Sequence, residues 1–111
     1  MVSPILLKSI FFGLLLIAVL LEVLGDVFFK KWALGSRNAL LIIGLLIYFI
    51  GTVFWAVSLK YEFLSKAISV FTIMNLVLVV LVGVVIFKED LTLLNKIGII
   101  LGIISVVMIE I

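Results

Sequence analysis

Two long runs without a charged residue set the strongest limit on what this chain can fold into. Ala39 to Leu59 and Ala67 to Phe87 each extend over 21 residues, and about 20 apolar residues carry a helix across the hydrocarbon core of a bilayer. The chain is 68% hydrophobic and 13% charged, whereas a soluble domain is about half apolar and a quarter charged. A protein of 111 residues could not cover so much apolar surface in water. The two runs therefore predict an integral membrane protein.

Two further segments complete a prediction of four transmembrane helices. The predicted helices cover residues 5–33, 39–59, 65–87 and 92–111. We expect no strands, because the runs are too long and lack the period-two alternation of a lipid-facing barrel. The connections have only a few residues, which makes neighbouring helices antiparallel. The predicted fold class is all-α, with residues 1–111 as a single four-helix transmembrane domain.

The residue types present exclude several kinds of chemistry. The chain has no cysteine and no histidine, so a disulfide, a thiolate metal site and an imidazole proton shuttle are all impossible. We find no nucleophile–base pair, no metal-ligand cluster and no phosphate-binding loop. No basic stripe indicates a nucleic-acid partner. The sequence predicts neither an enzyme nor a bound metal or cofactor.

Glu22 is the strongest functional signal. If the hydrocarbon core begins near Ile10, Glu22 lies roughly 18 Å into it, at about 1.5 Å per helical residue. An acid at such a depth costs about 2.5–3.5 kcal/mol to insert and usually marks a transport pathway. A structural hydrogen bond to another helix is the alternative. We expect Glu22 to bind a proton and a cation in alternation.

Asp26 lies one helical turn beyond Glu22 on the same face. It could line a shared site with Glu22, which would make a substrate with two positive centres plausible. It could equally form an interfacial pair with Lys30, four residues further on. The sequence leaves both interpretations open.

The second and third helices each carry a stripe at the spacing i, i+4, i+7, i+10, which is one helix face. The stripes are Tyr48, Thr52, Trp55 and Ser58, and Ser65, Ser69, Thr72 and Asn75. In lipid, hydroxyls and amides turn inward and bond across helices, so the stripes could line a polar cavity opposite Glu22. The aromatic rings of Tyr48 and Trp55 could face a cation there. Interhelical packing is the alternative.

The fourth helix carries small residues that favour association. Gly98 and Gly102 form a G-x-x-x-G pair, and Ser105 follows one turn later. One copy offers a single central acid and no internal repeat, whereas transporters commonly build their sites between two repeats. We therefore expect a second chain, with these three residues at a dimer interface. The positive residues are split three against five between the two ends, a weak bias that leaves insertion in both orientations open.

The run Leu21-Glu22-Val23-Leu24-Gly25, followed by Lys30, resembles the first helix of the small multidrug resistance transporters of the drug/metabolite transporter superfamily. Tyr48 and the segment Lys88-Glu89-Asp90-Leu91 extend the resemblance over almost the whole chain. It implies an antiparallel dimer in the inner (plasma) membrane, with one Glu22 per protomer in a shared site. Protons and cationic substrates would compete there and drive export by alternating access.

The chain also departs from that family, because Ile68 and Phe71 stand where its drug exporters carry aromatic residues near the substrate. The first hypothesis is a proton-coupled exporter of small organic cations, of polyamine, guanidinium or quaternary ammonium type. Tyr48, Trp55 and Phe71 would shape the pocket, and Ser69, Thr72 and Asn75 would supply hydrogen bonds. The alternatives are a flippase, or flippase subunit, for a lipid-linked amino sugar, and an accessory subunit that binds a partner helix.

Overall fold

The computed structural model describes residues 4–35 and 37–110, and these residues form four α-helices with no strand. The helices are α1 (Pro4–Leu34), α2 (Asn38–Ser58), α3 (Leu64–Val85) and α4 (Leu93–Glu110). All four are long and apolar enough to cross a membrane. The prediction of an all-α fold with four membrane-spanning helices is confirmed, and the helix bounds agree within two residues. Ile111, the predicted last residue of the fourth helix, lies outside the described residues.

Hydrogen bonds of Gly35 and Trp32 shape the turn between α1 and α2. Gly35 ends α1 by donating its backbone N–H to the carbonyls of Lys31 and Trp32, at 3.0 and 3.2 Å. The Trp32 indole N–H then reaches across the turn to the side-chain oxygen of Asn38, at 3.2 Å. Tryptophan is enriched at the ends of membrane-spanning helices because its ring is apolar and its N–H needs a partner. The bond ties the last turn of α1 to the first residue of α2.

The turn between α3 and α4 is stabilised by backbone bonds and a reciprocal cap. Lys88 adopts a left-handed conformation with φ 54°, and the Glu89 N–H returns to the Gly83 carbonyl at 3.0 Å. This reversal ends α3 at Val85, two residues before the predicted Phe87. At the start of α4, the Thr92 hydroxyl accepts from the Asn95 N–H, and the Asn95 side chain accepts from the Thr92 N–H. Thr92 is therefore a capping residue and not the first residue of the helix.

Backbone contacts divide the chain into two compact units, Met1–Leu64 and Ser65–Ile111. In the first unit, α1 and α2 run side by side and antiparallel, in close backbone contact. In the second unit, α3 and α4 enclose an open groove, and no residue of α4 is buried. The prediction of a single domain over residues 1–111 stays a prediction.

Candidate functional site

Two glycines bring the backbones of α1 and α2 together near the middle of the first unit. A Cβ atom on Gly25 would lie 3.3 Å from the Gly44 carbonyl oxygen, and one on Gly44 would lie 3.3 Å from the Gly25 carbonyl oxygen. The rings of the opposite helix fill the space that Cβ atoms would take. Tyr48 Cδ2 would be 2.5 Å from a Gly25 Cβ, and Phe29 Cε1 would be 2.6 Å from a Gly44 Cβ. Small residues allow this approach between membrane helices, and it determines which side chains meet across α1 and α2.

A third glycine receives the side chain of Glu22. A Cβ on Gly51 would lie 3.3 Å from Glu22 Cγ, 3.2 Å from Leu21 Cβ and 3.4 Å from the Ala18 carbonyl oxygen. The Glu22 side chain therefore runs directly over the α2 backbone. Glu22 is half-buried, and its aliphatic Cγ packs on α2.

Asp26 is joined to α2 by a hydrogen bond. The Tyr48 hydroxyl donates to Asp26 Oδ1 at 2.7 Å, and the Tyr48 ring lies 5.1 Å from the Phe29 ring, centroid to centroid, at 46°. Glu22 lies four residues before Asp26, so the two side chains are neighbours on one face of α1. These three residues, Glu22, Asp26 and Tyr48, are called the α1–α2 polar cluster below.

The hydroxyls of the predicted stripes bond differently from the expectation. Thr52 donates to the Tyr48 carbonyl at 2.8 Å, Ser58 to the Trp55 carbonyl at 2.6 Å, and Ser69 to the Ser65 carbonyl at 2.7 Å. Each of these hydroxyls therefore donates within its own helix, and the polar cavity opposite Glu22 stays a prediction. A serine or threonine in a helix has a carbonyl of the preceding turn within reach, and this local bond satisfies the hydroxyl without another helix.

The predicted site residues of α3 belong to the second unit. Phe71 is half-buried and Thr72 is exposed. Asn75 has a buried side-chain oxygen without a hydrogen-bond partner among the described residues. The roles of these side chains in binding stay a prediction.

The predicted interface residues of α4 have different surroundings. A Cβ on Gly102 would lie 3.0 Å from Ile73 Cδ1, so Gly102 packs against α3 of its own chain. Gly98 has open space where a Cβ would be and lines the groove between α3 and α4. The Ser105 hydroxyl donates to the Leu101 carbonyl at 2.9 Å. Gly98 and Ser105 are exposed, as a surface for a partner helix requires, and the dimer itself stays a prediction.

Comparison with known proteins assigns the family. The sequence profile of the EamA-like transporter family matches residues 2–111. This chain belongs to the EamA-like transporter family. No curated protein and no solved structure matches it at a significant level. The match supports a multi-pass membrane transporter of small solutes and agrees with the prediction that the chain is not an enzyme. It places the chain in the drug/metabolite transporter superfamily without reaching the narrower small multidrug resistance family.

The polar cluster of this EamA-like transporter depends on residues to which the sequence alone assigned no role in the site. Gly25, Gly44 and Gly51 fix the register between α1 and α2, and Phe29 packs beside Tyr48. One signal was available, because Gly44, Tyr48 and Gly51 follow the spacing i, i+4, i+7 on one face of α2. Within residues 4–35 and 37–110, no three acidic, histidine or cysteine side chains come together as a metal site would require.

Proposed function

We propose that this EamA-like transporter is a proton-coupled exporter of small organic cations that works as an antiparallel dimer in the inner (plasma) membrane. The observation that carries the proposal is the position of Glu22. Its side chain crosses the α2 backbone at Gly51, within a pair of helices long and apolar enough to cross a membrane, and one helical turn before Asp26, which accepts from the Tyr48 hydroxyl. An ionisable group at this depth is costly to insert and is usually functional.

In the proposed cycle, Glu22 binds a proton and the cationic substrate in turn. A carboxylate can bind either the proton or the cation. A carboxylate with neither partner is unfavourable in a low-dielectric site, so we expect one of the two to be bound at all times. Tyr48 and Trp55 would offer aromatic faces to the cation. Ser69, Thr72 and Asn75 would supply acceptors for substrate N–H groups, and the unpartnered oxygen of Asn75 suits this role.

A second copy of the chain would complete the transporter. One protomer supplies one α1–α2 polar cluster, and alternating access commonly works between two related halves. The exposed face of α4, with Gly98 and Ser105, is suited to helix association because small residues allow backbones to approach. Two protomers of opposite orientation would place a Glu22 from each in one shared site.

Substrate-evoked current tests this proposal directly. The protein is reconstituted into liposomes on a solid support and exposed to guanidinium, polyamines, quaternary ammonium ions and amino sugars. We expect currents from the wild type and their loss to background in Glu22→Gln. Glu62→Gln is the matched control, because Glu62 lies between α2 and α3 and accepts only from the neighbouring Phe63 N–H, at 2.9 Å, among the bonds described. Unchanged currents in Glu22→Gln would refute the mechanism.

One observation favours a second candidate function, a flippase or flippase subunit for a lipid-linked amino sugar or similar headgroup. The groove between α3 and α4 holds about 410 Å³ and is walled mainly by apolar side chains, including Leu76, Val80 and Leu94. A hydrocarbon tail would fit such a groove. Native mass spectrometry should then show a lipid bound in stoichiometric amount. A protein free of bound lipid that carries current with soluble cations would refute this candidate.

A further inference from the structure

Gly51 of α2 lies directly against the acid on which the proposed transport depends. It is buried, and a Cβ atom on it would lie 3.3 Å from Glu22 Cγ. We propose that Gly51 is a positioning residue for Glu22, because the missing Cβ leaves the space in which the Glu22 side chain lies on the α2 backbone. The inference rests on the proposed function and assigns to Gly51 the control of where the transporting carboxyl group is held.

The three atoms that a Cβ on Gly51 would meet differ in how freely they can move. Leu21 Cβ, at 3.2 Å, is bonded directly to the α1 backbone, and the Ala18 carbonyl oxygen, at 3.4 Å, is part of that backbone. Glu22 Cγ, at 3.3 Å, moves by rotation about χ1. A methyl group on residue 51 would therefore be accommodated mainly by a rotation of the Glu22 side chain away from α2.

The contacts at Gly51 are looser than those at the other two glycines between α1 and α2. Cβ atoms on Gly25 and Gly44 would lie 2.5 and 2.6 Å from ring atoms of the opposite helix, so a methyl group there displaces a ring or a helix. At Gly51 the nearest atom is 3.2 Å away, and a shift of a few tenths of an ångström makes room. The helix pair should therefore stay assembled in a Gly51 variant while the Glu22 side chain changes its orientation.

The position of the carboxyl group matters for binding because the attraction between charges depends on distance. This attraction weakens as the charges separate and is strong in a low-dielectric surrounding, and hydrogen bonds to the carboxylate weaken steeply when they are poorly aligned. In the proposed cycle Glu22 binds both the proton and the cation. A Glu22 side chain that has rotated away from α2 should therefore bind the cation more weakly.

The test is chemical labelling of Glu22 with dicyclohexylcarbodiimide, an apolar reagent that adds to protonated carboxyl groups within a membrane. The full chain is reconstituted into liposomes, and peptide mass spectrometry follows the labelling of each acid over time at one pH. In Gly51→Ala the Glu22 side chain leaves α2 and becomes more accessible to the reagent. We expect Glu22 to be labelled about two- to tenfold faster than in the wild type, which is the change in population that corresponds to a rotation of about 30° from a rotamer. Asp26, which is held by Tyr48 instead, should keep its wild-type rate.

Two further variants separate the contact at Gly51 from a general effect of the added methyl group. Gly13→Ala adds a methyl group to α1 where a Cβ meets nothing within 4 Å, so it should leave both labelling rates unchanged. Gly51→Ser carries the same Cβ as Gly51→Ala, and its hydroxyl can bond to a carbonyl of its own helix, so it should also speed the labelling of Glu22. A wild-type rate at Glu22 in Gly51→Ala, an equal rise at Asp26, or an equal rise in Gly13→Ala would each overturn the inference.

Cation currents provide a second readout that a loss of folded protein would not reproduce. In Gly51→Ala the cation concentration at half-maximal current should rise by a factor similar to that for labelling, with a smaller change in the maximal current. A lower maximal current at an unchanged half-maximal concentration would overturn the positioning role. Because labelling needs no transport, an unchanged labelling rate leaves the cation exporter intact. Absence of all cation currents from the wild type would refute the exporter, and labelling would still decide whether Gly51 positions Glu22.

Discussion

The two units of this transporter hold their helices together in different ways. In the first unit, α1 and α2 touch through Gly25 and Gly44, and a hydrogen bond joins Tyr48 to Asp26. In the second unit, α3 meets α4 through Ile73 against Gly102, an open groove separates them further along, and α4 has no buried residue. The first unit is closely packed around its charged groups, and the second presents apolar surface.

The difference follows from the solvent. Lipid tails are as apolar as leucine, so burying leucine or isoleucine between two membrane helices yields little free energy. Membrane helices are instead held together by close backbone approach and by polar hydrogen bonds, and the first unit has both. The second unit has large aliphatic side chains at most positions of α3 and α4. It therefore keeps surface available for lipid, for a second copy or for a moving helix.

The largest expected effect in this comparison comes from adding one methyl group to matched glycines. Gly25→Ala places a Cβ 2.5 Å from Tyr48 Cδ2, so either the ring or the helix must shift, and overpacking of this kind costs about 1–3 kcal/mol. Gly98→Ala meets nothing within 4 Å and should be neutral or slightly stabilising, because alanine favours helix over glycine. Both variants are compared with the wild type by their free energies of unfolding, which are measured by titrating the protein in mixed micelles with a denaturing detergent.

Gly13→Ala provides a second control within α1, since a Cβ there also meets nothing within 4 Å. Equal losses of stability in Gly25→Ala and Gly98→Ala would contradict the difference between the two units. Equal losses in Gly25→Ala and Gly13→Ala would show that the methyl group acts on α1 itself and not on its contact with α2.

A smaller effect is expected from the hydrogen bond between the two helices. Tyr48→Phe keeps the ring over Gly25 and removes only the hydroxyl that donates to Asp26. Polar bonds between membrane helices contribute about 0.6 kcal/mol on average and up to about 1.7. We expect a loss of about 1 kcal/mol, because the acceptor here is a carboxyl group.

Tyr61→Phe is the matched control for this substitution, since Tyr61 lies in the turn between α2 and α3. The same unfolding titration should leave the Tyr61 variant unchanged within error. A Tyr48→Phe protein as stable as the wild type would mean that glycine packing alone holds α1 to α2. The two units would then differ in their backbone packing and not in a polar bond between helices.

Much of the fold could be predicted from the sequence because hydropathy along the chain determines where the membrane helices lie. Long apolar runs, two of them free of charge, predicted the number of helices, and Glu22 stood out because an acid is rare at that depth. The end of α3 was harder to predict. Lys88 adopts φ 54° although it is not a glycine, and nothing in the sequence marks it as a residue in the left-handed region.

The candidate site was predictable only in part, since contacts across helices depend on register. The sequence left Asp26 between a pair with Lys30 and a shared site with Glu22, and the structure shows it bonded to Tyr48. That bond depends on how Gly25 and Gly44 fit together, which hydropathy does not encode. The local bonds of the stripe hydroxyls were not predicted for another reason. Periodicity shows which face a hydroxyl is on, but the nearest acceptor is a carbonyl of its own helix.

The smallest effect is expected in the second unit, at the start of α4. Thr92→Ala removes the hydroxyl that accepts from the Asn95 N–H at 3.1 Å, and loss of such a cap costs about 0.5–1 kcal/mol. Thr92→Ser keeps the acceptor and should be close to the wild type in the unfolding titration. Because no residue of α4 is buried, the cap is one of the few local interactions that define where the helix begins. Thr92→Ala could instead destabilise the protein as much as Gly25→Ala. The stability of the second unit would then depend on the start of α4 as strongly as that of the first unit depends on its glycines, and the contrast between the units would be wrong.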